Sequence, residues 1–156
     1  IQDHAIMKPN YYDVVCSYQV MEHVTDVRGI VAASVQALKP GGRLIISVPN
    51  NDSFIKYSPD SILNMPPHHM NLWDEASLKG LQDHFDMELV GFELEPLQPY
   101  HYPVVISNFI ERRISRGFVG KVIKKLVKWT QAYRLVGLVK NSIKGHSIIV
   151  TYRKKA

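Results

Sequence analysis

The sequence predicts an α/β fold with an open, partly parallel sheet, an antiparallel edge and a helical insertion. Two short apolar runs flank a segment of helical periodicity, which is the pattern of a parallel strand–helix–strand unit. When the block 104–144 is set aside, two strand-like runs follow each other near the end, which favours antiparallel pairing. The chain has 156 residues, so we expect a single domain, 1–156.

The front of the chain carries the parallel unit. Residues 12–17 read Tyr-Asp-Val-Val-Cys-Ser, which is typical of a strand buried on both faces. Thr25 or Asp26 can cap the helix that follows, where apolar residues recur at helical spacing. Residues 40–42, Pro-Gly-Gly, are expected to end that helix, and 43–48 to form the second strand.

The remaining elements are more widely spaced. A long polar loop is predicted at 49–73, and loops of this length in compact domains are usually functional. Asp74 can cap a short helix, and 87–95 has the composition of a strand. The block 104–144 is predicted to be helical in at least two pieces, and 146–152 to form the last strand.

Positive charge is concentrated in the insertion. The net charge is +5, but residues 104–144 hold ten Lys or Arg and a single acid. Such a patch favours an anionic partner. One face of a predicted helix within this block is apolar, and another carries Lys121, Lys124, Lys125 and Lys128. Three interpretations of 118–140 are open: peripheral contact with a membrane surface, binding of an anionic acceptor, or a solvated helix face.

Composition also bears on compartment and partners. A single cysteine, Cys16, excludes an internal disulfide and makes a reducing, cytoplasmic compartment the default expectation, with peripheral membrane contact open. Cys16 lies in an apolar run, so a buried thiol is predicted. No nucleic-acid partner is expected, because the sequence shows no recognised RNA- or DNA-binding module and its aromatic residues do not alternate with the basic ones.

Two segments resemble motifs of a known family. Residues 12–24, which end in Met-Glu-His-Val, closely resemble the fourth strand and following turn of class I S-adenosylmethionine-dependent methyltransferases, in the branch of the ubiquinone-biosynthesis O-methyltransferases. Residues 38–49, Leu-Lys-Pro-Gly-Gly-Arg-Leu-Ile-Ile-Ser-Val-Pro, resemble the next motif at the right separation. Residues 67–73, Pro-His-His-Met-Asn-Leu-Trp, resemble a loop of many bacterial members. The resemblance covers 104–144 poorly.

The resemblance implies the C-terminal part of one Rossmann-like methyltransferase domain. The chain would supply strands 4, 5, 7 and 6 of the family sheet, in that spatial order, with the last strand antiparallel. The family's glycine-rich loop and ribose-binding acid belong to earlier strands, and the residues before Tyr12 contain neither. The resemblance therefore implies methyl transfer from S-adenosylmethionine by the full-length protein, and an inactive 156-residue chain.

The methyl acceptor is expected to be a small molecule, anionic or lipid-linked, with an O-linked acceptor favoured over an N-linked one. A rival hypothesis is a non-catalytic or membrane-associated scaffold that retains the fold. Because the family's first strand would flank 12–17, the open edge of this strand also predicts self-association of the chain.

Candidate site residues follow from the same resemblance. Ser17, Tyr18 and Gln19 stand just past a parallel strand, at the family's cofactor wall. His68 and His69 are candidate general bases, because an acceptor hydroxyl must lose its proton and histidine titrates near neutrality. Adjacent histidines without a fixed third ligand do not predict a metal site.

Two further regions contain residues of interest. Tyr100, His101 and Tyr102 either line an acceptor pocket or belong to a proline-rich connector. His23 is interpreted as structural, and Glu22 as a group that stabilises the N–H groups of the following helix.

Overall fold

Four strands of the described residues form one open sheet, in which the last strand of the chain lies between the second and the third. The structure is a computed structural model that describes residues 1–58, 64–114 and 117–156. The strands are β1 (Tyr12–Tyr18), β2 (Leu38–Pro49), β3 (Met87–Pro96) and β4 (Lys144–Lys154). β1 and β2 are parallel, and β4 runs antiparallel to both of its neighbours. The predicted fold class and the strand order implied by the resemblance are confirmed.

Five α-helices accompany the sheet within the described ranges. They are α1 (Gln2–Met7), α2 (Val27–Ala37), α3 (Glu75–Gly80), α4 (Tyr102–Arg113) and α5 (Phe118–Thr130). Single turns of 3₁₀ helix follow α3 and precede α4, and a longer 3₁₀ segment, Ala132–Leu138, follows α5. Residues 59–63 of the loop predicted at 49–73, and residues 115–116 of the predicted insertion, lie outside the described residues.

The β1–α2–β2 unit differs from its prediction at one turn. The Asp26 side chain caps α2 by accepting a 2.8 Å hydrogen bond from the backbone N–H of Gly29. The helix ends at Ala37, and β2 begins at the next residue. The Pro-Gly-Gly sequence therefore lies inside β2, where Gly41 has φ of +77° and the register with β1 shifts. The turn that was predicted to end α2 is therefore an irregularity within β2, and its left-handed backbone conformation favours glycine.

β1 is exposed on one face, which contradicts the prediction of burial on both faces. Val14, Cys16 and Tyr18 alternate along that face and are all exposed, so the prediction of a buried Cys16 thiol was wrong. The physical reason is that β1 pairs only with β2 within the described residues, while α1 and α2 pack on its opposite face.

The main core lies between the sheet and the helices α2 and α3. Its fully buried members include Leu44 and Ile46 of β2, Ile148 and Tyr152 of β4, and Leu78 of α3. The Tyr152 hydroxyl donates a 2.5 Å hydrogen bond to the Leu78 carbonyl, which satisfies its polar group inside the core. α3 and the central strands are therefore held together by both packing and a buried hydrogen bond.

A second, smaller core joins the insertion to the loop after β2. Phe54, Leu97, Tyr102 and Val136 form it, so the structured insertion begins somewhat before the predicted residue 104. α5 begins directly after Gly117, where the helical break was predicted. No helix in the described part of the chain is long and apolar enough to cross a membrane.

Candidate functional site

The candidate site is a pocket of about 540 Å³ at one edge of the sheet. β1, β2 and β3 end at this edge, and β4, which runs in the opposite direction, begins there. Ligands of open α/β sheets bind outside the carboxyl ends of the parallel strands. Eight residues line the pocket: Gln19, Ser47, Glu95, Tyr100, His101, His146, Ser147 and Ile149.

Gln19 shapes the floor of the pocket. Its backbone has φ of +52°, a left-handed conformation that is uncommon for a residue with a side chain. Its N–H donates a 2.8 Å hydrogen bond to the Ser47 carbonyl, and its side-chain amide donates a 3.5 Å bond to the Ser47 hydroxyl. The end of β1 is thereby tied to β2 at the point where the chain turns away from the sheet.

The three predicted cofactor residues do not converge on this pocket. Gln19 lines it, whereas Ser17 and Tyr18 are absent from its lining. Because side chains alternate along a strand, half-buried Ser17 and exposed Tyr18 point to opposite faces of the sheet. Tyr18 lies beside Cys16, whose hydrogen-bonding side chain is the main cause that raises the pKa of the Tyr18 hydroxyl.

Two stacked histidines form one wall of the pocket. The ring centroids of His101 and His146 are 5.3 Å apart, with their planes inclined by 16°. The His101 Nδ1 atom is buried and has no hydrogen-bond partner among the described residues. Burial first, and then the proximity of His146, lower the pKa of His101, while Glu95 opposes the shift. At neutral pH His101 is therefore an uncharged imidazole that can accept a proton.

The structure separates the three residues at 100–102 that the sequence could not assign. Tyr100 and His101 line the pocket, whereas Tyr102 is buried in the second, smaller core. His146 was missed by sequence reasoning, although a signal was available. An antiparallel last strand must begin at the edge where the parallel strands end, so the first residue of that predicted strand belongs at the site.

The two predicted catalytic histidines lie in a second cluster, at the turn after β1. The Glu22 carbonyl accepts hydrogen bonds of 2.7 and 3.1 Å from the N–H groups of Met70 and Asn71, which fixes the loop against the turn. The rings of His68 and His69 stack on each other with centroids 5.3 Å apart. His68 is exposed and His69 is half-buried.

His69 packs closely against a third histidine of the cluster. Its ring lies 4.9 Å, centroid to centroid, from that of His23. Burial first, and then charge repulsion from His23, His68 and His146, lower the pKa of His69.

Glu22, His23 and His69 have the chemistry of a divalent-cation site. One ligand atom from each lies within 4.8 Å of the others. Glu22 is 1% exposed, and its Oε2 atom has no hydrogen-bond partner among the described residues. His23 Nδ1 lies 2.6 Å from the His68 carbonyl oxygen, and His69 Nδ1 lies 3.2 Å from the Asn64 side-chain oxygen. Protons on both Nδ1 atoms leave both Nε2 lone pairs available to a metal.

The sequence reasoning missed this set because His69 is far along the chain from the adjacent pair Glu22 and His23. His68 and His69 suggested only an adjacent pair, whereas the structure brings His69 to Glu22 and His23. Two imidazoles and one carboxylate suit zinc and similar cations. The prediction that the chain binds no metal is therefore tested by a direct measurement of zinc binding.

We expect the protein to bind one equivalent of Zn²⁺ through these three groups. Replacement of Glu22 by glutamine should weaken binding at least about 10-fold, because the amide brings no negative charge to the cation. His69→Gln should have a similar effect, and His84→Gln, which removes an exposed histidine elsewhere, should have none. Competition with a coloured chelator measures the affinities, and equal affinity of the Glu22 variant and the parent would exclude the site.

The comparison with known proteins gives the family. The family described as a methyltransferase domain matches residues 2–92, which is more than half of the chain. This chain belongs to the class I S-adenosylmethionine-dependent methyltransferases. The matched residues include β1, α2 and β2, together with the cluster of Glu22, His23 and His69 and with Gln19 of the pocket.

Relatives of this methyltransferase chain agree at the level of family and fold. It is 38% identical over 53 residues to the ubiquinone biosynthesis O-methyltransferase of Yersinia pestis, an alignment that covers 34% of this chain and 22% of that protein. A methyltransferase structure from Bacillus halodurans has a TM-score of 0.57 at 14% identity, over 96% of this chain and 67% of that one. A Haemonchus contortus phosphoethanolamine N-methyltransferase complex has a TM-score of 0.52 at 18% identity, over 96% of this chain and 35% of that one.

Proposed function

We propose that the full-length protein transfers the methyl group of S-adenosylmethionine to a hydroxyl group of a small-molecule acceptor. Family membership supports methyl transfer. The observation that carries the choice of a protic acceptor is the pocket at the sheet edge, which is lined by Gln19 and by the uncharged imidazole of His101. A hydroxyl acceptor requires such a base, because its proton must leave as the new carbon–oxygen bond forms.

Tyr18 and Gln19 are the residues of the described chain that fit the cofactor. S-adenosylmethionine supplies an electrophilic methyl group on a positively charged sulfur. The Tyr18 ring is 56% exposed on the outer face at the end of β1, where it can pack against the cofactor. The left-handed backbone of Gln19 directs the chain away and leaves the carboxyl end of β1 accessible. Ser17, on the opposite face, would support the turn rather than contact the ligand.

The pocket would position the acceptor and remove the proton of its hydroxyl group. His101 would accept the hydroxyl proton, and the stacked His146 would fix the orientation of its ring. His69 and His68 remain the alternative bases, and the variants discussed below distinguish them from His101. A cation held by Glu22, His23 and His69 would lower the pKa of a hydroxyl that coordinates it.

The test uses the full-length protein. We expect calorimetric titration to show saturable binding of S-adenosylmethionine, and methyl transfer from isotope-labelled cofactor to members of a panel of small hydroxyl compounds. Amines are tested beside the hydroxyl compounds. If the protein methylates nitrogen in preference to oxygen, the acceptor is N-linked and not O-linked. For the 156-residue chain by itself we expect weak cofactor binding and no turnover. Absence of cofactor binding by the full-length protein would contradict the proposal and favour a non-catalytic scaffold.

A further inference from the structure

α5 has two faces that differ in their contacts. One face packs on α4: Gly120 is buried there, and Lys124 forms an ion pair with Glu111 of α4. Ile110 of α4 is 2% exposed beneath it. Lys124 was predicted to share the exposed basic face with the other lysines, and this interpretation was wrong because its ammonium group joins the two helices.

The other face of α5 exposes large apolar side chains to solvent. Phe118 and Trp129, at the two ends of the stripe, are 80% and 81% exposed. The stripe is completed by residues at helical spacing between them: Val119, Val122 and Leu126, which are all exposed. A row of large exposed apolar side chains along one helix face is typical of an interaction surface.

Exposed lysines border this stripe on one side. Lys121, Lys125 and Lys128 lie one turn apart along the helix and form no ion pair within the described ranges. The surrounding block 104–144 carries ten basic residues, and its single acid, Glu111, is already paired with Lys124. The surface is therefore apolar and strongly cationic at the same time.

We propose that α5 docks in the plane of a lipid bilayer surface that carries anionic head groups. An amphipathic helix with aromatic and aliphatic residues on one face and lysines beside them inserts its apolar face at the head-group boundary, while the lysines pair with lipid phosphates. A second copy of the chain is a poorer occupant. A symmetric pairing of α5 would place lysines near lysines, and the insertion offers no unpaired acid among its described residues to neutralise them.

The proposal is independent of the reaction, and a vesicle-binding assay tests it. Full-length protein is sedimented with neutral phosphatidylcholine vesicles, or with vesicles that also contain phosphatidylglycerol, at about 0.1 M salt. We expect strong preference for the anionic vesicles. The triple substitution of Lys121, Lys125 and Lys128 by glutamine should reduce the partition coefficient about 100-fold. Lys124 is left unchanged in order to preserve the ion pair with α4.

Two further variants separate charge from apolar insertion. Trp129→Ala should reduce binding to both kinds of vesicle, since the exposed ring contributes apolar contact. A control triple substitution of Lys8, Lys56 and Lys155, which are exposed outside the insertion, should bind like the parent. Binding of the parent should also weaken as salt is raised. Equal loss in both triple variants, salt-independent binding, or a lipid-free dimer that Trp129→Ala abolishes would each overturn the proposal.

Discussion

Replacement of Gly145 by alanine should lower the free energy of unfolding by about 3 kcal/mol or prevent folding. A Cβ atom at this position would lie 1.7 Å from the carbonyl oxygen of Glu95, which is backbone and cannot rotate away. β3 and β4 would have to separate at this point. The Gly145 carbonyl also accepts a hydrogen bond of 3.3 Å from buried Asn50, so the displacement would disturb the end of β2 as well.

Gly80→Ala is the matched control. Gly80 ends α3 with φ of −69°, and a Cβ atom there meets nothing within 4 Å. Alanine should therefore be neutral or stabilise the protein by up to about 1 kcal/mol, since it restricts the unfolded chain. Urea unfolding followed by circular dichroism measures both variants. Similar unfolding midpoints for the two would show that the close approach of β3 and β4 is absent.

Replacement of His101 by glutamine should reduce kcat of the full-length protein about 100-fold or more, with little change in cofactor affinity. This expectation rests on the proposed function, because the loss of a general base removes about two to four orders of magnitude in rate. The pH profile gives a second readout. The pKa of His101 is lowered, so the neutral form persists below the usual range of histidine. Turnover by the parent should fall only when the pH drops through the lowered pKa of His101. This fall at low pH, the acid limb of the pH profile, should be absent in the variant.

Three other histidine variants distinguish the candidate bases. His69→Gln should impair turnover in a manner that depends on the concentration of added divalent cation, whereas the defect of the His101 variant should not. His68→Gln changes an exposed side chain and should have a small effect, as should His84→Gln. If the His69 variant instead loses the acid limb at every cation concentration while the His101 variant retains it, the base belongs to the histidine cluster and not to the pocket wall.

Local sequence patterns were sufficient for the parallel strand–helix–strand unit, apart from the Pro-Gly-Gly turn that lies inside β2. The apolar runs that became β1 and β2, the Asp26 cap and the periodicity of α2 are signals carried by neighbouring residues, and all three elements formed. The position of β4 between β2 and β3 is a long-range property. It followed from the family resemblance, because strand composition alone does not specify the neighbour of a strand.

The site was harder to predict because its groups come from distant segments. Glu22 was interpreted as a group at a helix entrance, yet it is buried, and its Oε2 atom has no hydrogen-bond partner in the described part of the chain. The distant loop residues Met70 and Asn71 bond to its backbone carbonyl, which its neighbours in sequence do not reveal. Lys124 and its neighbours look alike in sequence, and only the packing of α5 on α4 distinguishes the lysine that is paired with Glu111 from the exposed ones. The exposure of Cys16 likewise depends on what lies beside β1, which the residues of that strand do not encode.

The place where the insertion leaves and rejoins the sheet makes it a replaceable module. Pro96, at the end of β3, faces Lys144, at the start of β4, so the whole segment between them begins and ends at one pair of opposed residues. The pairing of β3 with β4 holds those two ends together. A longer or shorter segment between them changes the stability little, because the entropic cost of closing a loop rises only slowly with its length. A short hairpin or a different helical pair could therefore stand in place of α4 and α5, provided that Tyr100 and His101, which precede α4 and line the pocket, are kept. A membrane-binding surface could then be gained, exchanged or lost without rebuilding the sheet.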